Sequence, residues 1–285
     1  MSINKFELDS ISGDDLQELV EYKVPEGLNI EYKRELYGGK DSEKKELLKD
    51  ISSFANTSGG NLIIRIKEEK GIAISIDGVS CTDPDAEKMR LQQIIQNGLN
   101  PRIIGARIKV VPLSNNNYAF IIRISKSWNP PHRVIYKNSN RFYLRNSGGV
   151  HEADVNELRN LFTMADNFYN RIFSFQDQRI GKIINGQIPH NLKSNGRLIV
   201  HIVPFLGFEG NYKLDITNIN QFKGCFHPID TSYYENRFNF DGLLFQDSDI
   251  GNGYMQLYRN GIIESVIADI IHNNGEVIYR WSQST

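Results

Sequence analysis

The chain has 285 residues, 40% of them hydrophobic and 24% charged, with a formal net charge of −1. That is the profile of a globular protein long enough for two domains. Its apolar runs are only of strand length, which excludes a bilayer-spanning helix. The N-terminal segment 1–7 lacks the basic start and apolar core of a secretion signal. Cys81 and Cys225 stand far apart and outside any metal spacing, so the expectation is a cytoplasmic protein with free thiols.

In chain order, Asp14-Asp15 before Leu16, Leu19 and Val20 predicts a short helix with acids at its positive end. After Pro25 and Gly27, the alternation of Leu28, Ile30 and Tyr32 with Asn29, Glu31 and Lys33 predicts a strand over 28–36. Leu47, Leu48, Ile51, Phe54 and Ala55 then recur on one helical face. Asn56-Thr57-Ser58-Gly59-Gly60 ends that helix, since glycine accepts the left-handed backbone of a helix C-terminus. Leu62-Ile63-Ile64 leaves the turn at once. It is too apolar for a strand with one wet face and reads as a central strand covered on both sides. Residues 67–71 form a polar hairpin turn that returns through Ile72, Ile74 and Ile76.

Asp83 caps and Pro84 opens a second long helix, which runs through Met89, Leu91, Ile94 and Ile95 to Asn97-Gly98. Strands are predicted over 104–111 and 118–124 across a polar turn at 114–117, and over 141–145 after the loop Trp128-Asn129-Pro130-Pro131-His132-Arg133. Val155, Leu158, Leu161 and Phe162 mark another amphipathic helix. The order βαββαβββα predicts an α+β fold over 1–165, a mixed β-sheet flanked by helices. Residues 166–285 read as a helix plus a smaller β-rich domain. It has a strand over 197–205, a hairpin turn at Asn260-Gly261 and a second at Asn273-Asn274-Gly275. That domain carries no catalytic motif, and dimerisation or partner binding is its expected role.

The net charge hides an uneven distribution. Residues 1–100 carry 13 Lys/Arg against 19 Asp/Glu, whereas 101–150 carry nine Lys/Arg and no acid. A one-signed surface of that kind attracts polyanions; solvated strand edges are the other reading. The cations expected at such a surface are Lys33, Arg65, Arg123, Lys126, Arg133, Arg141 and Arg145. Beside them, Trp128 offers a face on which a base could stack while Arg133 holds a phosphate; simple loop packing is the alternative.

Three stretches occur in order: Asn29-Ile30-Glu31-Tyr32-Lys33-Arg34-Glu35, then Phe54-Ala55-Asn56-Thr57-Ser58-Gly59-Gly60, then Phe142-Tyr143-Leu144-Arg145-Asn146-Ser147-Gly148-Gly149. Leu161-Phe162 ends the following helix. Together they resemble the Schlafen-type AlbA-like nucleic-acid-binding domain over about residues 20–165. In Schlafen ribonucleases an acidic trio binds divalent metal, and the resemblance assigns that part to Glu26 and Glu31, which keep the five-residue spacing, and Glu68. Oxygen ligands of this kind suit Mg²⁺ or Mn²⁺. The resemblance therefore implies a metal-dependent endoribonuclease acting on structured RNA such as tRNA, with RNA favoured over DNA and no membrane partner. The two lobes that Schlafen relatives use to embrace RNA imply a homodimer here. The alternative is a non-catalytic DNA-binding or sensor module, a part of a larger effector included. Arg65 stands where many relatives have glycine, so it either clamps a phosphate or neutralises Glu31 or Glu68. No ATP site is expected, because Gly38-Gly39-Lys40-Asp41-Ser42 lacks the first glycine of a phosphate-binding loop.

Overall fold

The computed structural model describes residues 3, 5, 7–77, 79–80, 83–113, 117–193, 196–208, 214–216, 226–229, 234–247 and 251–268. Residues 114–116 of the turn expected at 114–117, the turn expected at 273–275 and both cysteines lie outside them. The chain divides into two compact units, Met1–Asp166 and Asn167–Thr285.

The first unit runs α1 (Gly13–Glu21), β1 (Ile30–Lys33), α2 (Asp41–Asn56), β2 (Gly60–Ile64), β3 (Ile66–Glu69), β4 (Ile72–Ile76), β5 (Val79–Ser80), α3 (Pro84–Gly98), β6 (Leu99–Asn100), β7 (Arg107–Pro112), β8 (Asn117–Ile124), β9 (Arg133–Val134), β10 (Arg141–Asn146) and β11 (Gly149–Glu152). Helix α4 (Val155–Ile184) follows and contains the division between units. The helix starts obey local chemistry. Asp15 accepts the Ser12 N–H at 2.8 Å at the head of α1, and Asp83 accepts the Ala86 N–H at 2.9 Å at the head of α3.

Strands β1 and β2 are parallel, joined by α2, and β8 runs antiparallel to β2. Strand β7 pairs with the same β8 residues as β2 and so takes the opposite edge of β8, while β5 continues the β2 edge. This mixed sheet puts β2 in its interior. Leu62 and Ile64 join Phe54, Leu48, Leu91 and Phe120 under α2 and α3. Ile63 joins Leu16, Leu19, Ile121 and Tyr32 on the other face. Alternate residues of one strand thus enter two cores, which is why the run is apolar throughout.

Strand β2 ends at Arg65, whose φ of 90° is a left-handed conformation that L side chains seldom adopt. There the chain leaves the sheet, and β3 and β4 form a separate hairpin. A second sheet, in the order β11-β10-β9-β6, lies against α2. The first strand is shorter than the predicted 28–36, and the strand predicted from 104 begins at Arg107, leaving Ile104 in a loop.

In the second unit, β12 (Leu198–Ile202), β13 (Tyr234–Phe238), β14 (Gly242–Asp247), β15 (Gly253–Tyr258) and β16 (Ile263–Ile267) form one antiparallel sheet in the order β12-β16-β15-β14-β13. Its interior holds a charged centre. Glu264 is fully buried and receives both Arg179 Nε and Nη2 at 2.7 Å, the Tyr254 hydroxyl at 2.7 Å and His201 Nε2 at 2.9 Å. Burial alone would raise its pKa, but these donors outweigh burial and hold it near 2. The architecture is α+β with a β-rich second unit.

Candidate nucleic-acid interface and acidic cluster

The turn that ends α2 is a hub. Asn56 donates through Nδ2 to the carbonyls of His132 (3.1 Å) and Tyr143 (3.0 Å), and its Oδ1 accepts the His132 N–H at 2.7 Å. The Ala55 carbonyl accepts the Ser127 N–H at 2.8 Å, and Thr57 Oγ1 accepts the Arg145 N–H at 3.1 Å. One short stretch therefore holds the chain after β8 and the middle of β10. The two glycines admit close backbone. A Cβ at Gly59 would stand 2.6 Å from the Lys126 nitrogen, and one at Gly60 would stand 2.6 Å from the Asn29 carbonyl oxygen and 2.5 Å from the Phe54 ring. At Gly59, φ of +71° excludes most side chains independently.

Next to the hub sits a charged seam. Arg145 is buried, its side chain only 1% exposed, with its guanidinium 3.9 Å from the Phe54 ring centre. Its Nη2 donates to Glu31 Oε2 at 2.7 Å and to the Gly27 carbonyl at 3.2 Å. Lys33 Nζ lies 3.0 Å from Glu31 Oε1, 3.4 Å from Asp50 and 3.5 Å from Glu46, and Tyr37 donates to Asp50 at 2.6 Å. Burial would raise the Glu31 pKa, but the Lys33 charge and the Arg145 hydrogen bond outweigh it and lower it. For Asp50 burial prevails and the pKa is raised.

Of the acidic trio, Glu26 feels the charges of the other two. Burial raises the Glu26 pKa, and the charges of Glu31 and Glu68 add to the rise, against the Tyr32 N–H that Glu26 accepts at 2.8 Å. Its oxygens are engaged within the chain, however. Both Glu31 oxygens face cations, and Glu68 Oε2 accepts the Gly71 N–H at 2.6 Å. Among the described residues no group of three or more His, Cys, Asp or Glu side chains is placed to hold a metal ion. In this arrangement the trio does not fit Mg²⁺ or Mn²⁺.

The seven expected nucleic-acid contacts divide accordingly. Arg145, expected at the surface, is an interior cation, and Lys33 is committed to carboxylates. Arg65 is buried. Arg123 reaches Asn61 Oδ1 (2.9 Å) and the carbonyls of Lys5 (2.8 Å) and Ile3 (2.7 Å), so it fastens the N-terminal segment. Lys126 and Arg133 are partly exposed; Arg141 is exposed, with Glu152 at 3.1 Å. Arg102, Arg107 and Lys137 add exposed charge from the same acid-free stretch. His132, close to Trp128 in sequence, is buried. Its Nδ1 meets the Pro101 carbonyl at 2.7 Å, which can only accept, so Nε2 accepts the Ser127 hydroxyl at 2.6 Å. Burial lowers its pKa, consistent with the neutral ring. Asp50 is the member of the seam that the motifs do not single out; a carboxylate on the apolar face of α2 is the signal that marks it.

Residues 26–154 match the family model described as Schlafen, AlbA_2. This segment is a Schlafen AlbA_2 domain. Its hub is the Phe54–Gly60 stretch and its seam joins the flanking two. Solved structures similar to the chain include the DIP2311 protein from Corynebacterium diphtheriae, with 15% identity over 51% of this chain and a TM-score of 0.34. Another is the N-terminal domain of a RecG-related protein from Nitrosomonas europaea, with 19% identity over 51% of this chain and 94% of that one, and a TM-score of 0.36. The match covers 27% of the Corynebacterium chain. No curated protein matches the sequence. No helix among the described residues is long and apolar enough to cross a membrane.

Proposed function

We propose that the Schlafen AlbA_2 domain of this protein binds nucleic acid, RNA in preference to DNA, through the cations of residues 101–150. The observation that carries this reading is the acid-free stretch itself, with Arg102, Arg107, Lys126, Arg133, Lys137 and Arg141 all at least partly exposed. Arg133 and Arg141 lie at the surface, and R133E/R141E removes two positive charges there. For every duplex phosphate that the variant no longer neutralises, the dependence of log affinity on log salt should flatten by about 0.9. An unchanged slope in titrations of tRNA and duplex DNA refutes this face.

A second reading is metal-dependent cleavage of structured RNA by Glu26, Glu31 and Glu68. The charges of Glu31 and Glu68 acting on Glu26 favour it; the Glu31–Arg145 pair opposes it. Incubation of tRNA with wild type and E31Q, in Mn²⁺ or EDTA, separates the two. Wild-type cleavage that needs Mn²⁺ and is lost in an E31Q that keeps the native circular-dichroism spectrum at the assay temperature establishes the second reading, and equal inactivity leaves binding alone. A homodimer belongs to the same proposal, supported by Tyr169, Phe173, Ile180 and Ile184, exposed on one face of α4. A monomer by light scattering at micromolar concentration removes it.

A further inference from the structure

Two loops of the first unit, 101–106 and 125–132, run side by side, hydrogen-bonded at one end and close at the other. The Pro101 carbonyl meets His132 Nδ1 at 2.7 Å, and the position a Cβ would take at Gly105 lies 3.7 Å from Ser125 Oγ. The second loop is pinned along its length. Ser127 is held through its N–H by Ala55 and through its hydroxyl by His132, Asn129 N–H donates to Ser127 Oγ at 3.1 Å, and His132 is held by Asn56. These bonds fix the backbone on either side of Trp128.

Trp128 is partly exposed and belongs to neither apolar core of the unit. The Lys126 ammonium sits 5.4 Å from its ring centre, and Arg102 is exposed on the adjoining loop. Ile104, 90% exposed, adds an apolar side chain there. An indole on a fixed backbone, flanked by cations and with no acid nearby in sequence, has the composition of a stacking platform. A duplex keeps the faces of its bases inside the stack, so such a platform engages only unpaired ones.

We propose that Trp128 stacks on an unpaired nucleobase while Lys126 and Arg102 hold the adjoining phosphates, so that the domain selects single-stranded or looped nucleic acid over continuous duplex. This rests on the nucleic-acid reading above and names its substrate class. The chain has two tryptophans, Trp128 and Trp281, so W281F in the full-length protein leaves an emission that reports Trp128 alone. In that background, oligo(U) and oligo(dT) should quench the emission, and a duplex of equal length should not. W128A should lose between about 5-fold and about 150-fold in affinity for the single strands, with duplex affinity unchanged, and W128F should retain most of it. R102A/K126A should lower the single-strand salt slope by about 0.7 for each phosphate no longer held. A native melting curve for W128A excludes misfolding as the cause. Equal single-strand affinity of W128A and its parent, or an equal loss for duplex, overturns the stacking site while leaving nucleic-acid binding standing. If the parent binds neither single strand nor duplex, both readings fall.

Discussion

Asn56→Ala tests the role of the hub most directly. Asn56 is 4% exposed and makes three hydrogen bonds to backbone groups of two different segments, at 3.1, 3.0 and 2.7 Å. Three such bonds contribute about 0.5–1.5 kcal/mol each, and the buried His132 N–H left without its acceptor adds about 1–3 kcal/mol. Some relaxation is unavoidable, so the expected loss is about 3–5 kcal/mol, a large part of the stability of one domain. Urea unfolding followed by circular dichroism should show the first transition moving to lower denaturant with its slope unchanged. Asn56→Asp sharpens the test. A carboxylate still accepts from His132 but presents lone pairs and charge to two carbonyls, so N56D should be no more stable than N56A. A loss below about 1 kcal/mol for N56A would mean that the hub tolerates water in place of the amide, and Asn56 would then not be what positions the Trp128 loop.

The Glu31–Arg145 pair should behave as a unit: R145M and E31Q should each cost about 3–5 kcal/mol by leaving an uncompensated buried partner, and the double variant should cost clearly less than their sum in a double-mutant cycle. Glu264 sets an acid limit on the second unit. Its pKa falls from the ordinary 4.5 to about 2 on folding, so it contributes stability above pH 4.5, on the order of 3 kcal/mol. That contribution is lost as pH falls through 2. In E264Q, which loses the ionised form, stability should no longer decline across that window; a wild-type-like decline refutes the assignment. At Arg65 the left-handed φ of 90° suits glycine, so R65G should preserve the fold and change stability by no more than about 1 kcal/mol in either direction; loss of folding would show that the buried arginine side chain is needed.

Much of the first unit was legible because local signals and global packing agree there. The apolar face of α2, the double glycine and the uniformly apolar β2 each have one reading, and Asp83-Pro84 marks a helix start by cap chemistry alone. The separation of β3 from β2 was not legible, since it depends on an arginine in a backbone conformation that side-chain pattern does not reveal. Arg145 was misplaced for a different reason. Its neighbour Leu144 is buried as well, so alternation along β10 does not say which side of the strand is wet, and a positive charge in an acid-free stretch reads as surface. Only the carboxylate waiting on β1, 114 residues earlier, makes an interior position tenable. The spacing of Glu26 and Glu31 was visible, but the cations that occupy Glu31 come from elsewhere in the chain.

The seam between the two sheets of the first unit has a consequence for recombination. Apolar surfaces tolerate sliding, because one aliphatic contact replaces another at little cost, whereas an arginine between a ring and a carboxylate has one seat. Strand β10 is therefore keyed to β1 and α2 by Arg145, Glu31 and Phe54, with Asn56 and Thr57 as the wards of the lock. A chimaera that imports residues 133–152 from a relative will assemble only if it brings an arginine to the Arg145 position and finds a glutamate and an aromatic ring already in place. Matching hydrophobicity alone will not seat it.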